Sequence, residues 1–203
     1  MSTSQLWLTF YLLGSFVAGS IPFGWLFARL KGIDLKQIGS GNIGATNAAR
    51  ALGRPIGVAV LILDAGKAFI PTWLARRYGA ELPDLGLPGA APALIGFAAI
   101  CGHVFSPWLH WKGGKGVASS LGVFLAIAPL SAAIAGIVWL VLYLAFRIAS
   151  VGSLAAAAAL VVTMVLRHEP SGHLIVVAAT FLLVLVRHTD NIKRLLEARE
   201  SKV

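Results

Sequence analysis

A chain of 203 residues that is 58% hydrophobic and 12% charged, with a mean hydropathy of +0.82, is too apolar for the half-polar surface of a soluble domain. Its net charge of +9 would suit a nucleic acid, but the Lys and Arg residues stand at the ends of apolar segments and form no single patch, which argues against that partner. The single cysteine, Cys101, excludes an intrachain disulfide framework and a cysteine-based zinc site.

Apolar runs of the length needed to cross a bilayer, roughly 20 residues for ~30 Å of hydrocarbon, recur along the chain. Seven spans are predicted, at 6–28, 55–74, 87–109, 116–128, 130–146, 151–166 and 172–186. The first lacks the positive leader of a cleaved secretory signal and carries Arg29 and Lys31 at its far end, so it reads as a retained helix. The long run 117–146 is divided at Pro129, whose ring cannot continue a helix.

Charge asymmetry follows from that parity. With seven spans, thirteen of the 17 basic residues fall on one side, in the segments 29–54, 110–116, 147–150 and the tail; with six the bias vanishes. The expectation is an all-α integral membrane protein forming a single polytopic domain over 1–203. Its N-terminus would lie outside and its C-terminus would be cytoplasmic. Frequent Gly and Ala, including the run 155–159, allow helices to approach closely.

The first basic segment contains Gly39-Ser40-Gly41-Asn42-Ile43-Gly44-Ala45-Thr46-Asn47 and then Arg50. The formal G-x-G-x-x-G is not a dinucleotide fingerprint, because no strand precedes it and no βαβ unit follows. The physics beneath that fingerprint still applies. Glycines let backbone N–H groups converge on an anion, a following helix N-terminus adds positive potential, and an Arg can grip an oxyanion with two donors. Ser40 has no nucleophile elbow or adjacent His and reads as a hydroxyl ligand.

Between Leu109 and the fourth span runs Lys112-Gly113-Gly114-Lys115-Gly116-Val117-Ala118. Lysines among glycines at a helix start suit phosphate, although the spacing is not that of a Walker A loop. The last span ends at His188-Thr189-Asp190-Asn191, where His188 and Asn191, three apart, share a helix face. Within the second span Asp64 and Lys67, also three apart, read as a structural ion pair; His103 is left open between structure and function.

Together G-S-G-N-x-G-A-T-N-x-x-R, K-G-G-K-G-V-A and H-x-x-N-I-x-R-L closely resemble the three cytoplasmic motifs of the bacterial acylphosphate-dependent glycerol-3-phosphate acyltransferases, the PlsY family. Gly19-Ser20-Ile21-Pro22 and Gly102-His103 fit as well, so the resemblance spans the chain. It implies a seven-helix, multi-pass enzyme of the bacterial inner membrane with its active site on the cytoplasmic side. That enzyme would transfer an acyl group from acyl phosphate to glycerol 3-phosphate, releasing inorganic phosphate for phospholipid biosynthesis, with no metal and no other cofactor. Acyl phosphate, glycerol 3-phosphate and membrane lipid are the expected partners, nucleic acid is not, and a monomer is expected.

Carried over residue by residue, Ser40, Arg50, Lys115, His188 and Asn191 match the family's functional positions, and Ser153 fits a serine of the fifth-to-sixth helix region more loosely. The expected catalytic set is Ser40, His188 and Asn191. The expected substrate and phosphate ligands are Gly39, Gly41, Asn42, Gly44, Thr46, Asn47, Arg50, Lys112, Gly114, Lys115 and Ser153. Two departures stand out: Ala198 before Glu200, and Ala within Asp64-Ala65-Gly66-Lys67-Ala68, both where the family usually has Gly.

An acyl phosphate already carries a stable leaving group, so its enzyme mainly has to align a hydroxyl and neutralise developing charge. Backbone N–H groups at 39–44 would hold the donor head, Arg50 and Lys115 would grip glycerol 3-phosphate, and His188 and Asn191 would orient its primary hydroxyl. His188 and the donor's own phosphate both qualify as the proton acceptor. The acyl chain would enter laterally between Gly- and Ala-lined helices. The alternative is a phosphate or glycerol-phosphate transporter, which predicts an inverted repeat that the sequence does not show.

Overall fold

The computed structural model describes residues 2–202, and those residues form ten α-helices and two short 3-10 turns with no strand. Helix α1 (Thr3–Ser20) ends where Ile21, the residue before Pro22, turns to extended geometry, and α2 (Phe23–Leu30) resumes beyond the proline. The pair still passes as one 28-residue apolar span, Thr3–Leu30. The break has a use, because the freed carbonyl of Ile21 accepts a hydrogen bond from Lys67 Nζ at 2.6 Å.

A short α3 (Ala45–Leu52) leads into α4 (Arg54–Tyr78), which begins at an Arg-Pro step and runs 25 residues. Then come α5 (Ala90–Val104), α6 (Val117–Ile127), α7 (Pro129–Phe146), α8 (Ala149–Leu166), α9 (Ser171–Arg187) and α10 (Thr189–Leu196). The predicted interruption of 117–146 falls where expected: Ala128 leaves helical geometry and Pro129 opens α7 at the one position that tolerates its missing N–H. The last pair, α9 and α10, bends by 57° at His188.

Among the described residues, five helices or broken helix pairs are long and apolar enough to cross a membrane, six if the bent α9–α10 pair counts as one span. The remaining apolar helix, α6, has 11 residues and at ~1.5 Å each reaches only about 16 Å. Phe10, Ile62, Ile137, Val162 and Leu182, on five different helices, are each more than half exposed. An apolar exterior of that extent fits lipid and not water.

Close backbone approach builds the inner wall, as lipid leaves no hydrophobic drive between helices. A methyl group on Gly19 of α1 would meet Ala99 O of α5 at 2.1 Å, and one on Gly122 of α6 would meet Ala65 O of α4 at 2.0 Å. Ser15 Oγ donates to Ile95 O at 2.6 Å across the first contact, and Ser119 Oγ donates to Asp64 O at 3.2 Å across the second.

Between these helices lies a buried polar cluster. Lys67 Nζ stands 2.7 Å from Asp64 Oδ1 and 3.0 Å from His103 Nδ1, while its third bond goes to Ile21 O. The lysine therefore satisfies a carboxylate, an imidazole and a broken helix end at once, tying α1, α4 and α5 together. The structural reading of the Asp64–Lys67 pair fits this geometry, and His103 joins it.

Candidate active site

The loop before α3 is shaped by its own sequence. Gly39 and Gly41 adopt φ of +56° and +67°, conformations that an L side chain rarely takes, and Gly41 N closes a turn on Ile38 O at 3.0 Å. Asn47, 1% exposed, holds the loop from behind: its amide donates to Leu35 O at 3.1 Å and Ile38 O at 2.9 Å, and its carbonyl accepts from Ser40 N at 3.1 Å. The turn delivers Ser40, Asn42 and Thr46, with Gly44 and the first residue of α3, to the wall of a cavity of about 380 Å³.

The same cavity receives residues from three other helix ends. Lys115 precedes α6, Ser150 and Ser153 open α8, and His188 and Asn191 flank the α9–α10 bend. Lys115 Nζ donates to Asn191 Oδ1, and the other side of that amide donates to Glu200. Glu200 also accepts from Arg194 Nε at 2.6 Å and Ser150 Oγ at 2.8 Å, so a single carboxylate closes the start of α8 onto α10. The tail continues to Arg50, whose guanidinium donates to Ser201 O at 3.0 Å and Lys202 O at 3.4 Å.

Electrostatics follow from this crowding. Burial pushes the Lys115 ammonium down to about 8; Glu200 opposes the shift, and Arg194 and Arg187 add to it. Burial alone would raise the Glu200 carboxyl, but the hydrogen bonds from Asn191, Arg194 and Ser150 outweigh it and hold the group below the usual carboxylate range. His188, 2% exposed, points Nδ1 at Val184 O, 2.8 Å away. A carbonyl only accepts, so the proton sits on Nδ1 and Nε2 carries the lone pair. That is the tautomer of a base.

Not every expected ligand reaches the cavity. Gly39 and Gly41 shape the loop from outside the wall and Lys112 is exposed away from it, whereas Asn47 lines the cavity but spends its donors on the loop. Gly114 is a packing residue: a methyl group there would meet His103 Nε2 at 2.1 Å, and its N–H donates to His103 O at 3.0 Å. Its carbonyl and that of Gly113 accept from Arg187 at 3.3 and 3.2 Å, so the glycine loop is clamped between α5 and α9, with Lys115 as its projecting member. Ser153 does line the cavity, donating to Ala149 O at 2.8 Å and facing Trp139 Nε1 at 3.1 Å. Glu200 and its partner Ser150 are site residues that sequence reasoning missed.

Below this polar mouth the wall is mostly apolar, with Thr180 of α9 as a polar exception. Leu121 and Phe124 of α6, Ala132, Gly136 and Trp139 of α7, Ala156 and Leu160 of α8, and Val177 and Phe181 of α9 continue it inward. Cations, hydroxyls and an imidazole at one end and hydrocarbon at the other suit an amphiphile with an anionic head.

Comparison with known proteins agrees with that chemistry. Residues 9–198 match the family described as glycerol-3-phosphate acyltransferase. The glycerol-3-phosphate acyltransferase of Anaeromyxobacter dehalogenans is 47% identical over 194 residues, covering 93% of each chain. That of Trichlorobacter lovleyi is 42% identical over 193 residues, covering 95% of this chain and 96% of its own. Among solved structures, the integral membrane glycerol 3-phosphate acyltransferase PlsY in its glycerol 3-phosphate form superposes with a TM-score of 0.90 at 37% identity, over 97% of this chain and 95% of that one. Its lysophosphatidic acid form gives 0.87 at 36% identity, over 96% and 94%.

Proposed function

The chain belongs to the glycerol-3-phosphate acyltransferase family and acylates glycerol 3-phosphate, and on that premise we propose that its donor is an acyl phosphate and that the reaction takes place at the polar mouth of the cavity. The observation that carries this reading is the meeting of Ser40, Arg50, Lys115, His188 and Asn191 on one wall that continues into hydrocarbon. Arg50 and Lys115 hold the phosphate of the acceptor. Ser40, Asn42, Thr46 and the N-terminus of α3 receive the phosphate of the donor.

The primary hydroxyl of glycerol 3-phosphate attacks the donor's carbonyl carbon. As the ester C–O bond forms, the C–O bond to phosphate breaks, inorganic phosphate leaves, and the hydroxyl proton passes to His188 Nε2 or to the departing phosphate. The Nδ1–H bond to Val184 keeps Nε2 available, and Asn191, held between Lys115 and Glu200, fixes the acceptor's orientation. The acyl chain lies in the apolar part of the cavity, where it stays out of water. A transporter is not favoured: the matching family and relatives are acyltransferases, and Lys67 is engaged by Asp64, His103 and Ile21 O.

The same meeting point supports seven passes. The loop 39–47, the starts of α6 and α8 and the end of α9 share one mouth, so the pairs α4–α5, α6–α7 and α8–α9 each leave it and return, with α1–α2 as the first pass. The short α6 then turns back inside the membrane at Pro129, with local thinning of the bilayer. Thirteen of the 17 basic residues gather on the mouth side, which makes that side cytoplasmic and puts the N-terminus outside a bacterial inner membrane. The single chain, acting as a monomer, holds every group the reaction uses.

The donor is tested with purified protein in detergent, given glycerol 3-phosphate and either acyl phosphate or the matching CoA thioester. Phosphate release equal to lysophosphatidate formed, with the thioester inert, is the expected result. A thioester that serves as well as the phosphate overturns the donor assignment.

A further inference from the structure

The cavity is deeper than the reacting groups require. Along α9 it runs from His188 to Val177, a separation of eleven residues or about 16 Å, and along α8 from Ser150 to Leu160, about 15 Å. Half of a ~30 Å hydrocarbon core, the reach of one lipid chain, is the same length. The inner end is closed by Phe124, Ala132, Leu160 and Val177, which are 0%, 1%, 7% and 2% exposed and packed in one core cluster.

We propose that this closed floor gauges acyl-chain length, making Ala132, Leu160 and Val177 specificity-determining residues for the donor; the proposal rests on reading the cavity as the acyl-chain site. A chain that just reaches the floor exchanges all its methylenes from a disordered setting into close-packed contact. A longer one must either overpack the core or leave its head short of His188. A single methylene in a closed apolar pocket changes specificity by about tenfold or more, so the floor converts a small difference in length into a large difference in rate.

Gly136 offers the means to move the floor. It lines the cavity on α7 one turn nearer the mouth than Ala132, and a methyl group added there meets nothing within 4 Å. Gly136→Leu fills that space from the side, and Leu160→Ala deepens the end. Both variants and the unaltered protein are given an equimolar mixture of saturated acyl phosphates of graded length with glycerol 3-phosphate, and the lysophosphatidates are resolved by mass spectrometry.

The expected result is a product distribution that moves to shorter chains in Gly136→Leu and to longer chains in Leu160→Ala, each by at least about tenfold in the ratio of the longest to the shortest product. An unmoved distribution in a variant that turns over shows that the tail lies outside, against lipid, and overturns the proposal; if one variant fails to fold, the other decides. Failure of the unaltered protein to acylate glycerol 3-phosphate from any of these donors overturns the underlying site reading instead.

Discussion

The ammonium of Lys115, at the entrance to α6, donates to the side-chain carbonyl of Asn191, just past the bend between α9 and α10. This bond joins the glycine-lysine segment to the histidine-asparagine segment across 76 positions of sequence, and Glu200 completes it from the other side of the amide. A cation, an amide and a carboxylate in line form a network in which each member orients the next.

Removal of the cation should appear mainly in acceptor binding. Lys115→Met eliminates a charge-assisted contact worth about 1.5–3 kcal/mol, so the KM for glycerol 3-phosphate should rise roughly 10- to 100-fold with a smaller effect on kcat. Steady-state kinetics on the purified variant measure it. An unchanged KM removes Lys115 from the acceptor's phosphate.

The pH profile gives an independent view of the same group. Because Lys115 is pushed down to about 8, it is a cation below that pH and neutral above it, and kcat/KM for glycerol 3-phosphate should fall as pH rises through 8. Lys115→Arg keeps its charge throughout this range, so its alkaline limb should move upward or vanish. A limb at the same pH in both proteins assigns it to another group.

His188→Gln preserves size and hydrogen bonding but removes the basic Nε2. If the imidazole takes the hydroxyl proton, kcat should fall by about 10²- to 10⁴-fold while the KM for glycerol 3-phosphate stays within a few-fold. Near-normal turnover transfers the proton to the leaving phosphate.

Ala198 sits at φ +52° in the turn that swings Glu200 back to the site, with Arg199 N bonded to Arg194 O at 2.7 Å and Ala198 N to Leu195 O at 3.1 Å. A side chain in that conformation costs about 1–2 kcal/mol, part of which Gly returns as unfolded-chain entropy. Ala198→Gly should therefore raise the thermal midpoint in detergent by an increment of up to about 1 kcal/mol, and Ala198→Val should lower it. Equal midpoints for Gly and Val contradict the strained turn.

Much of this architecture was legible from hydropathy and charge. Pro129 divides a run too long for one crossing, and the clustering of basic residues on alternate connections places the motif-bearing segments together. The interruption at Ile21-Pro22 was not predicted, because an apolar stretch reads through a proline whose broken ladder is repaired by a distant lysine. Gly114 looked like a phosphate ligand, yet the closeness of His103 and Arg187 makes it a packing residue, and no local pattern distinguishes the two roles. Glu200 was missed for a similar reason. It is one acidic residue in a polar tail, and its significance arises only when a turn after α10 carries it back to Ser150, Asn191 and Arg194. The unusual residue within that turn, Ala198, was its one visible sign.

In the proposed mechanism glycerol 3-phosphate binds at the mouth walled by the 39–47 loop. Ser40→Cys in a Cys101→Ser background places one thiol on that wall, and its reaction with a charged, membrane-impermeant maleimide can be followed in sealed inside-out and right-side-out vesicles. Labelling from the cytoplasmic face alone is expected, with protection that saturates with glycerol 3-phosphate. Labelling from the opposite face, or at a rate indifferent to saturating glycerol 3-phosphate, would contradict the proposed mechanism.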